Sequence, residues 1–194
     1  MSADVATTSD GVTVTIGGLV RHLPKRQVKE DFKVALFMPL GDWEFNEFAG
    51  KALAALVPPG TDVLVMPDGK AQALLHVVGR ETGLPTLIAK KEKKPYMQEP
   101  VLCAARDVCM TSNNKEAFYL GADDAAKLNG KRVVLLDDVV STGGSIRAMR
   151  DLMNQAGAAP LVEGASDVVC VFTEGGARPG VICLGDLPLN APEW

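Results

Sequence analysis

The chain has 194 residues, of which 47% are hydrophobic and 23% are charged, and its formal net charge is −4. A chain of this length can bury one substantial hydrophobic core, so we expect a single domain over residues 1–194. The acidic balance argues against nucleic acid as a partner, because nucleic-acid-binding proteins present a basic surface. No apolar run is long enough to span a membrane, and residues 1–11 lack the apolar segment of a signal peptide. We therefore expect a cytoplasmic protein with no membrane partner.

The cysteines and histidines do not form a metal-binding pattern. The four cysteines show no short paired spacing of the zinc type, and His22 and His76 stand apart. We expect the cysteines to be reduced and buried. His76 lies inside a helical pattern, which predicts a position on the helix surface or at the edge of the core.

The first forty residues are predicted to elaborate a core that begins after them. Residues 12–16 alternate apolar and polar side chains and predict a strand, and residues 32–38 predict a second one. Between them, residues 21–30 are basic and polar without clear periodicity.

Residues 42–89 are predicted to form two helices and two core strands. Asp42 is a plausible N-cap for the first helix, whose apolar stripe includes Phe45 and Phe48. In order, the predicted elements are a helix ending before Pro58, a strand at 62–66, a helix from Ala71 to Gly83 and a strand at 86–89.

A short polar loop follows the first core strand. Gly69 and Lys70 can offer backbone N–H groups and a cation, which would suit a diphosphate. An ordinary turn with a solvated lysine remains the alternative.

A lysine-rich segment, residues 90–94, follows the second core strand. The pattern from there to about Asn114 is weak and polar, apart from one predicted strand at 101–105, so we expect a long surface loop. Such a loop beside a site is often a lid, and its cations could bind a departing pyrophosphate. A solvated run of charges is the alternative.

The remaining elements precede and follow a central motif. They are predicted strands at 115–120, 161–165, 168–172 and 181–184, and a short helix at Ala122–Leu128.

The central motif joins a buried strand, two carboxylates and a glycine loop. Residues 133–136 are branched and apolar without alternation, which is typical of a parallel strand covered on both faces. Asp137 and Asp138 would then lie at the carboxyl end of the strand, where open α/β sheets bind ligands. We expect the chain to leave the strand at Val139, because consecutive strand residues point to opposite faces and only a turn would aim both carboxylates at one ligand.

The loop after the carboxylates is suited to a phosphate. Gly143 and Gly144 let the backbone approach an anion closely, and a helical pattern begins at Ile146, so the loop lies at a helix N-terminus. An acidic pair beside a phosphate needs a separate role, and two neighbouring hydroxyls supply one because carboxylates only accept hydrogen bonds. The pieces together indicate a site for a ribose 5-phosphate, although an ordinary polar strand–helix connection remains possible.

This motif closely resembles the phosphoribosyl pyrophosphate (PRPP) signature of type I phosphoribosyltransferases. Asp-Asp, two apolar residues, Ser141 and then Thr-Gly-Gly-Ser all fill the positions of that signature. The resemblance implies a mostly parallel α/β sheet flanked by helices, with a core at about 42–172 and a small hood from about 12–40 and 173–194. It also implies Mg²⁺ carried by PRPP, a lid that closes from the lysine-rich segment, and a homodimer.

The resemblance assigns roles to residues in three groups. The catalytic group is Asp137, Asp138 and Lys94. The group that binds the 5-phosphate is Val140, Ser141, Thr142, Gly143, Gly144 and Ser145. The group that binds pyrophosphate is Asp68, Gly69, Lys70, Ala71, Lys90 and Lys91. In the family the pyrophosphate loop often carries a non-proline cis peptide. The side chains that are usual in this loop are replaced here by Asp68-Gly69-Lys70-Ala71.

The order of segments resembles the purine salvage enzymes, which implies transfer of ribose 5-phosphate from PRPP to a purine. Residues 37–42 lack the amide side chains by which xanthine-type enzymes read their base, which favours adenine. The alternatives are xanthine, another purine, or orotate. A PRPP-sensing regulator without catalysis is a further alternative, although the chain shows no basic DNA-binding segment before the core.

Overall fold

The computed structural model describes residues 2–105, 117–160 and 164–190. In chain order its elements are β1 (Ala3–Thr8), β2 (Gly11–Ile16), β3 (Leu19–Lys29), β4 (Phe32–Ala35), α1 (Trp43–Ala54), β5 (Val63–Pro67), α2 (Gln72–Thr82), β6 (Thr86–Ala89), β7 (Leu102–Ala105), β8 (Ala117–Leu120), α3 (Ala122–Leu128), β9 (Val133–Val140), α4 (Gly144–Gln155), β10 (Val168–Glu174) and β11 (Val181–Leu187).

A five-stranded parallel sheet forms the centre of the structure, in the order β11-β10-β9-β5-β6. Its side chains alternate between two apolar layers: Leu64 and Met66 pack with α1 and α2, whereas Val63 and Val65 pack on the side of α3 and α4. Burial on both faces explains why the core strands lack polar alternation. The predicted fold class, a mostly parallel sheet flanked by helices, is confirmed.

The strand order reverses between β5 and β9. The chain leaves β5 through α2 and adds β6 on one side, whereas it leaves β9 through α4 and adds β10 on the other. The loops after β5 and β9 therefore diverge at the carboxyl edge, which is where open α/β sheets form a ligand crevice.

An antiparallel sheet of β1 to β4 forms the hood. Its inner residues Val12, Val14 and Ile16 are fully buried and belong to the same apolar layer as α1 and α2. Two of its strands were missed: β1 entirely, and β3 in the polar stretch that showed no periodicity. Leu23 is the one buried residue of β3. The strand therefore forms because it pairs with β2 and β4, and not because it has an apolar face to bury.

The C-terminal segment contacts the hood along β11 and beyond it. β11 pairs with β10 at the edge of the central sheet. β11 also packs against β1 of the hood, where Gly185 lies beside Ala3 and Val5. Beyond β11, Leu189 bridges Val34 and the Asn190 side chain accepts from the Lys33 N–H at 2.7 Å.

Element boundaries agree with the predictions in most places. Asp42 caps α1 as expected, its carboxylate accepting from the Phe45 N–H at 3.0 Å. Phe48, predicted to be in the core, is 40% exposed. The predicted strand at 161–165 falls largely outside the described residues, and Gly164 and Ala165 are not in a strand.

Three smaller expectations can also be compared with the structure. Cys170 is buried but Cys103 is exposed, so the expectation of burial is wrong for Cys103; Cys109 lies outside the described residues. His76 is exposed on α2. Within the described ranges, no helix is both long and apolar enough to cross a membrane.

Candidate active site

A cavity of about 450 Å³ lies between the hood and the carboxyl edge of the central sheet. It brings together residues predicted from three separate parts of the sequence: the loop after β5, the acidic pair on β9 and the glycine loop before α4. The lining residues are Phe32, Val34, Ala35, Leu36, Phe37, Met66, Pro67, Asp68, Gly69, Lys70, Ala71, Lys91, Phe118, Asp137, Asp138, Val139, Val140, Ser141, Thr142, Gly143, Gly144, Ser145, Ile146 and Glu174.

The glycine loop, residues 140–145, ends at the N-terminus of α4. We call it the phosphate loop. Gly143 is the N-cap and has φ 76°, a left-handed conformation that favours glycine. Gly144 is buried and begins a helix of 12 residues. The first N–H groups of a helix lack intrahelical acceptors, so this end of α4 presents donors and a partial positive charge to the cavity.

The acidic pair lies within β9 rather than after it. The ladder to β10 continues through Phe172↔Val139 and Thr173↔Val140, so the expected turn at Val139 is wrong. Both carboxylates nevertheless line the cavity. The Asp138 N–H donates to Asp137 Oδ1 at 2.9 Å, which bends the Asp137 carboxylate back along the strand.

Lys70 connects the acidic pair to the hood. Its Nζ donates to the carbonyl oxygen of Phe37 at 2.7 Å and lies 3.2 Å from Asp138 Oδ2. Asp138 Oδ2 is buried and makes no well-aligned hydrogen bond among the described residues, so its contact with Lys70 is an ion pair. A buried carboxylate needs such compensation, and the site therefore holds one cation tightly before any ligand enters.

The loop at residues 68–71, the diphosphate loop, is ordered by its own contacts. The Asp68 N–H donates to the Ala89 carbonyl at 2.8 Å, and Asp68 Oδ1 accepts from Gln72 Nε2 at 2.6 Å. The described chain has its cis peptide at Glu99–Pro100, so the family's cis bond is not found in this loop.

The lysine-rich segment is only partly at the cavity. Lys91 lines it, whereas Lys90 pairs its backbone with Tyr119 in both directions, at 2.8 and 3.1 Å. Lys94 Nζ pairs with Glu92 at 2.6 Å, which raises the pKa of Lys94, and it does not line the cavity. Its catalytic assignment stays a prediction.

Glu174 is a cavity residue that sequence reasoning missed. Burial raises its pKa, and the charges of Asp138 and Asp186 raise it further, whereas the Ser141 hydroxyl and Lys70 oppose the shift. The signal that could have found it is its position: strand 168–172 was predicted, and an acid just beyond a parallel strand falls at the ligand edge.

Comparison with known proteins agrees with this geometry. Residues 61–173 match the phosphoribosyl transferase domain. The chain belongs to this family. It is also similar to a hypoxanthine/guanine phosphoribosyltransferase of Methanocaldococcus jannaschii, at 27% identity over 168 residues, which are 86% of this chain and 70% of that protein.

Two further relatives cover different parts of the chain. An adenine phosphoribosyltransferase of Corynebacterium jeikeium is 44% identical over 73 residues, which are 38% of this chain and 32% of that protein. The crystal structure of adenine phosphoribosyltransferase from Thermoanaerobacter pseudethanolicus superposes with a TM-score of 0.66 at 18% identity, covering 84% of this chain and 95% of that one. That likeness confirms the type I fold.

The family match divides the cavity of this phosphoribosyltransferase in two. Its range, 61–173, includes the diphosphate loop, the acidic pair and the phosphate loop. The hood residues and Glu174 lie outside that range. The matched part therefore contains the residues that the sequence analysis assigned to PRPP.

Proposed function

We propose that this phosphoribosyltransferase transfers ribose 5-phosphate from PRPP to a purine, preferably adenine, and releases pyrophosphate. One observation carries the proposal: a single cavity joins a helix N-terminus, two adjacent carboxylates and a lysine loop beneath an apolar hood. These features complement a phosphate, a diol, a diphosphate and a flat base, respectively.

The phosphate loop and the acidic pair would hold the pentose. N–H groups and hydroxyls of residues 140–145 would bind the 5-phosphate, each charge-assisted hydrogen bond contributing about 1.5–3 kcal/mol. Asp137 and Asp138 would accept hydrogen bonds from the ribose hydroxyls. This holds C1 of the sugar between the hood and the diphosphate loop.

The diphosphate loop and the lysines would hold the leaving group. As the bond from C1 to pyrophosphate lengthens, negative charge grows on the pyrophosphate and positive charge on the sugar. Lys70 and Lys91 line the cavity and would stabilise the former. We propose that Lys90 and Lys94 join them when the lysine-rich segment closes over the site.

The donor set fits Mg²⁺ that arrives with its substrate. Among the described residues no group of three or more acidic, histidine or cysteine side chains could hold a metal. Mg²⁺ typically takes one or two carboxylates and completes its shell with substrate phosphates and water, which the Asp137–Asp138 pair and a diphosphate would supply. When bound, the ion would neutralise charge on the diphosphate.

The preference for adenine rests on the chemistry of the base-facing wall. That wall is apolar along the hood, and we propose that Glu174, which also lines the cavity, supplies its polar group. A carboxylate accepts a hydrogen bond from the amino group of adenine but repels the oxygen of a 6-oxopurine or the carboxylate of orotate.

A 6-oxopurine is the second candidate, because the Methanocaldococcus jannaschii relative carries that name over the longer alignment. A panel of adenine, hypoxanthine, guanine, xanthine and orotate with PRPP and Mg²⁺ separates the candidates. The proposal predicts AMP as the main product. Preferred formation of IMP or GMP would replace adenine by the second candidate, and no nucleotide from any base would reject the function.

We also propose that the enzyme is a homodimer. Leu40 and Trp43, at the start of α1, are 70% and 75% exposed, which is unusual for large apolar side chains so close together. Sedimentation equilibrium tests this: Trp43→Ala should lower the association constant, and a monomeric wild-type protein would reject it.

A further inference from the structure

The turn between β10 and β11 lies directly beside the phosphate loop. Because Thr173 pairs with Val140 in the parallel ladder, the residues after Thr173 run alongside those after Val140. Asp186 on β11 fixes this turn, its Oδ1 accepting from Thr173 Oγ1 at 2.7 Å and from the Gly176 N–H at 2.9 Å.

Arg178, in this turn, is bonded to two backbone carbonyls at once. Its Nε donates to the Ser141 carbonyl oxygen at 2.8 Å, and its Nη2 donates to the Glu174 carbonyl oxygen at 2.9 Å. The rigid geometry of the guanidinium group makes both bonds possible from one side chain. The end of β10 and the start of the phosphate loop are therefore joined through Arg178.

A second arginine makes the same kind of contact one residue later. Arg147, on the first turn of α4, donates from Nη1 to the Thr142 carbonyl oxygen at 3.0 Å. Consecutive carbonyls of the phosphate loop are thus each bonded to an arginine, one from the neighbouring strand and one from the helix.

The direction of these carbonyls determines the direction of the N–H groups. In a trans peptide the carbonyl and the following N–H point to opposite sides. Arg147 and Arg178 are not among the described residues that line the cavity, so the carbonyls of Ser141 and Thr142 turn away from it. The N–H groups of Thr142 and Gly143 then turn toward it.

We propose that Arg178 and Arg147 are positioning residues that orient the phosphate loop for the 5-phosphate of the ribose. The inference rests on the proposed function, because it assigns the anion to that loop. Without the arginines the two peptides could rotate, and carbonyl oxygens facing the phosphate would oppose binding. The arginines therefore act through the loop backbone and not by touching the ligand.

The test is the dissociation constant of ribose 5-phosphate, measured by calorimetry on the full chain. Arg178→Gln should raise it about 10- to 100-fold, the range of one charge-assisted hydrogen bond. Arg178→Lys keeps the charge but replaces the planar fork, whose Nε and Nη2 each meet one carbonyl, by a single nitrogen, so it should restore little of the affinity. Arg132→Gln is the matched control, because Arg132 makes a similar paired contact with Asp62 at the opposite end of β9.

The outcomes distinguish this inference from the proposed function. Wild-type protein that binds no ribose 5-phosphate would overturn both. Wild-type binding with an unchanged constant in Arg178→Gln, or full recovery in Arg178→Lys, would overturn the positioning role alone. If Arg178→Gln does not fold, Arg147→Gln and Arg147→Lys decide the question, with the same pattern expected.

Discussion

The ammonium group of Lys70 lies 3.2 Å from the buried carboxylate of Asp138 and also donates to the hood at Phe37. The pair joins the diphosphate loop to the acidic strand before any ligand binds. Lys70→Met should therefore lower the free energy of unfolding by about 1–3 kcal/mol, because Asp138 stays buried without its counter-charge. The 35% exposure of the Lys70 side chain favours the lower end.

A double-mutant cycle measures the interaction free energy between Lys70 and Asp138. Adding Asp138→Asn to Lys70→Met should recover part of the lost stability in urea denaturation, because the uncompensated charge is gone. Strictly additive losses would show that the two side chains do not interact.

Gly143 can be tested with a matched glycine elsewhere. Gly143→Ala forces an alanine to φ 76° and brings its Cβ to 3.4 Å from Arg147 Nη1. Gly130 has φ 70° and open space around it, so Gly130→Ala carries the backbone strain alone. Both should lose about 1–2 kcal/mol of stability, but only Gly143→Ala should raise the KM for PRPP. Equal KM values in the two variants would remove Gly143 from the phosphate site.

Glu174 should give a pH dependence of stability opposite to that of an ordinary paired carboxylate. Burial raises the pKa of Glu174 above its usual 4.5, so the folded state holds on to its proton to a higher pH than the unfolded state does. Its contribution to stability is present below pH 4.5 and is lost as the pH rises through the folded value. Glu174→Gln should therefore change the free energy of unfolding, relative to wild type, more favourably at pH 8 than at pH 4.

Glu47 provides the control of opposite sign. Arg80 lowers the pKa of Glu47, so its contribution is present above the usual 4.5 and is lost as the pH falls through the lower folded value. Glu47→Gln should destabilise the protein at pH 8 and have little effect at pH 3. Parallel pH profiles for the two variants would contradict the raised pKa of Glu174.

Different lysines of the lysine-rich segment should contribute to substrate binding and to the transition state. Lys91 lines the cavity, so Lys91→Gln should raise the KM for PRPP several-fold. Lys94 is paired with Glu92 away from the cavity, so Lys94→Gln should lower kcat about tenfold with little change in KM if the segment closes during turnover. Lys93→Gln, which breaks a similar pair with Glu99, is the control. Equal kcat values for the Lys93 and Lys94 variants would reject the role of Lys94.

Short sequence patterns predicted the site residues that are close together in the chain. β9 with its acidic pair, the phosphate loop and α4 follow one another along the chain. One continuous stretch of sequence therefore contains the apolar run, the glycines and the helical spacing that predict them. The diphosphate loop was predicted for the same reason.

Pairing between distant segments accounts for what was missed. β3 has a polar sequence and is a strand because β2 and β4 pair with it. β9 continues through Val139 because β10 pairs there, so the expected turn does not form. Arg178 reaches the phosphate loop only through the register of β10 with β9, which no short pattern encodes. Glu174 was missed although its place just beyond the predicted strand 168–172 could have indicated it.

The central claim is that the acidic pair and the phosphate loop bind the same pentose phosphate molecule. A crystal structure with ribose 5-phosphate tests it most directly. We predict the phosphate at the N-terminus of α4, bonded to N–H groups within residues 141–145, and the sugar hydroxyls on Asp137 and Asp138. A pentose phosphate bound elsewhere, or bound in this cavity with its phosphate away from α4, would contradict the account.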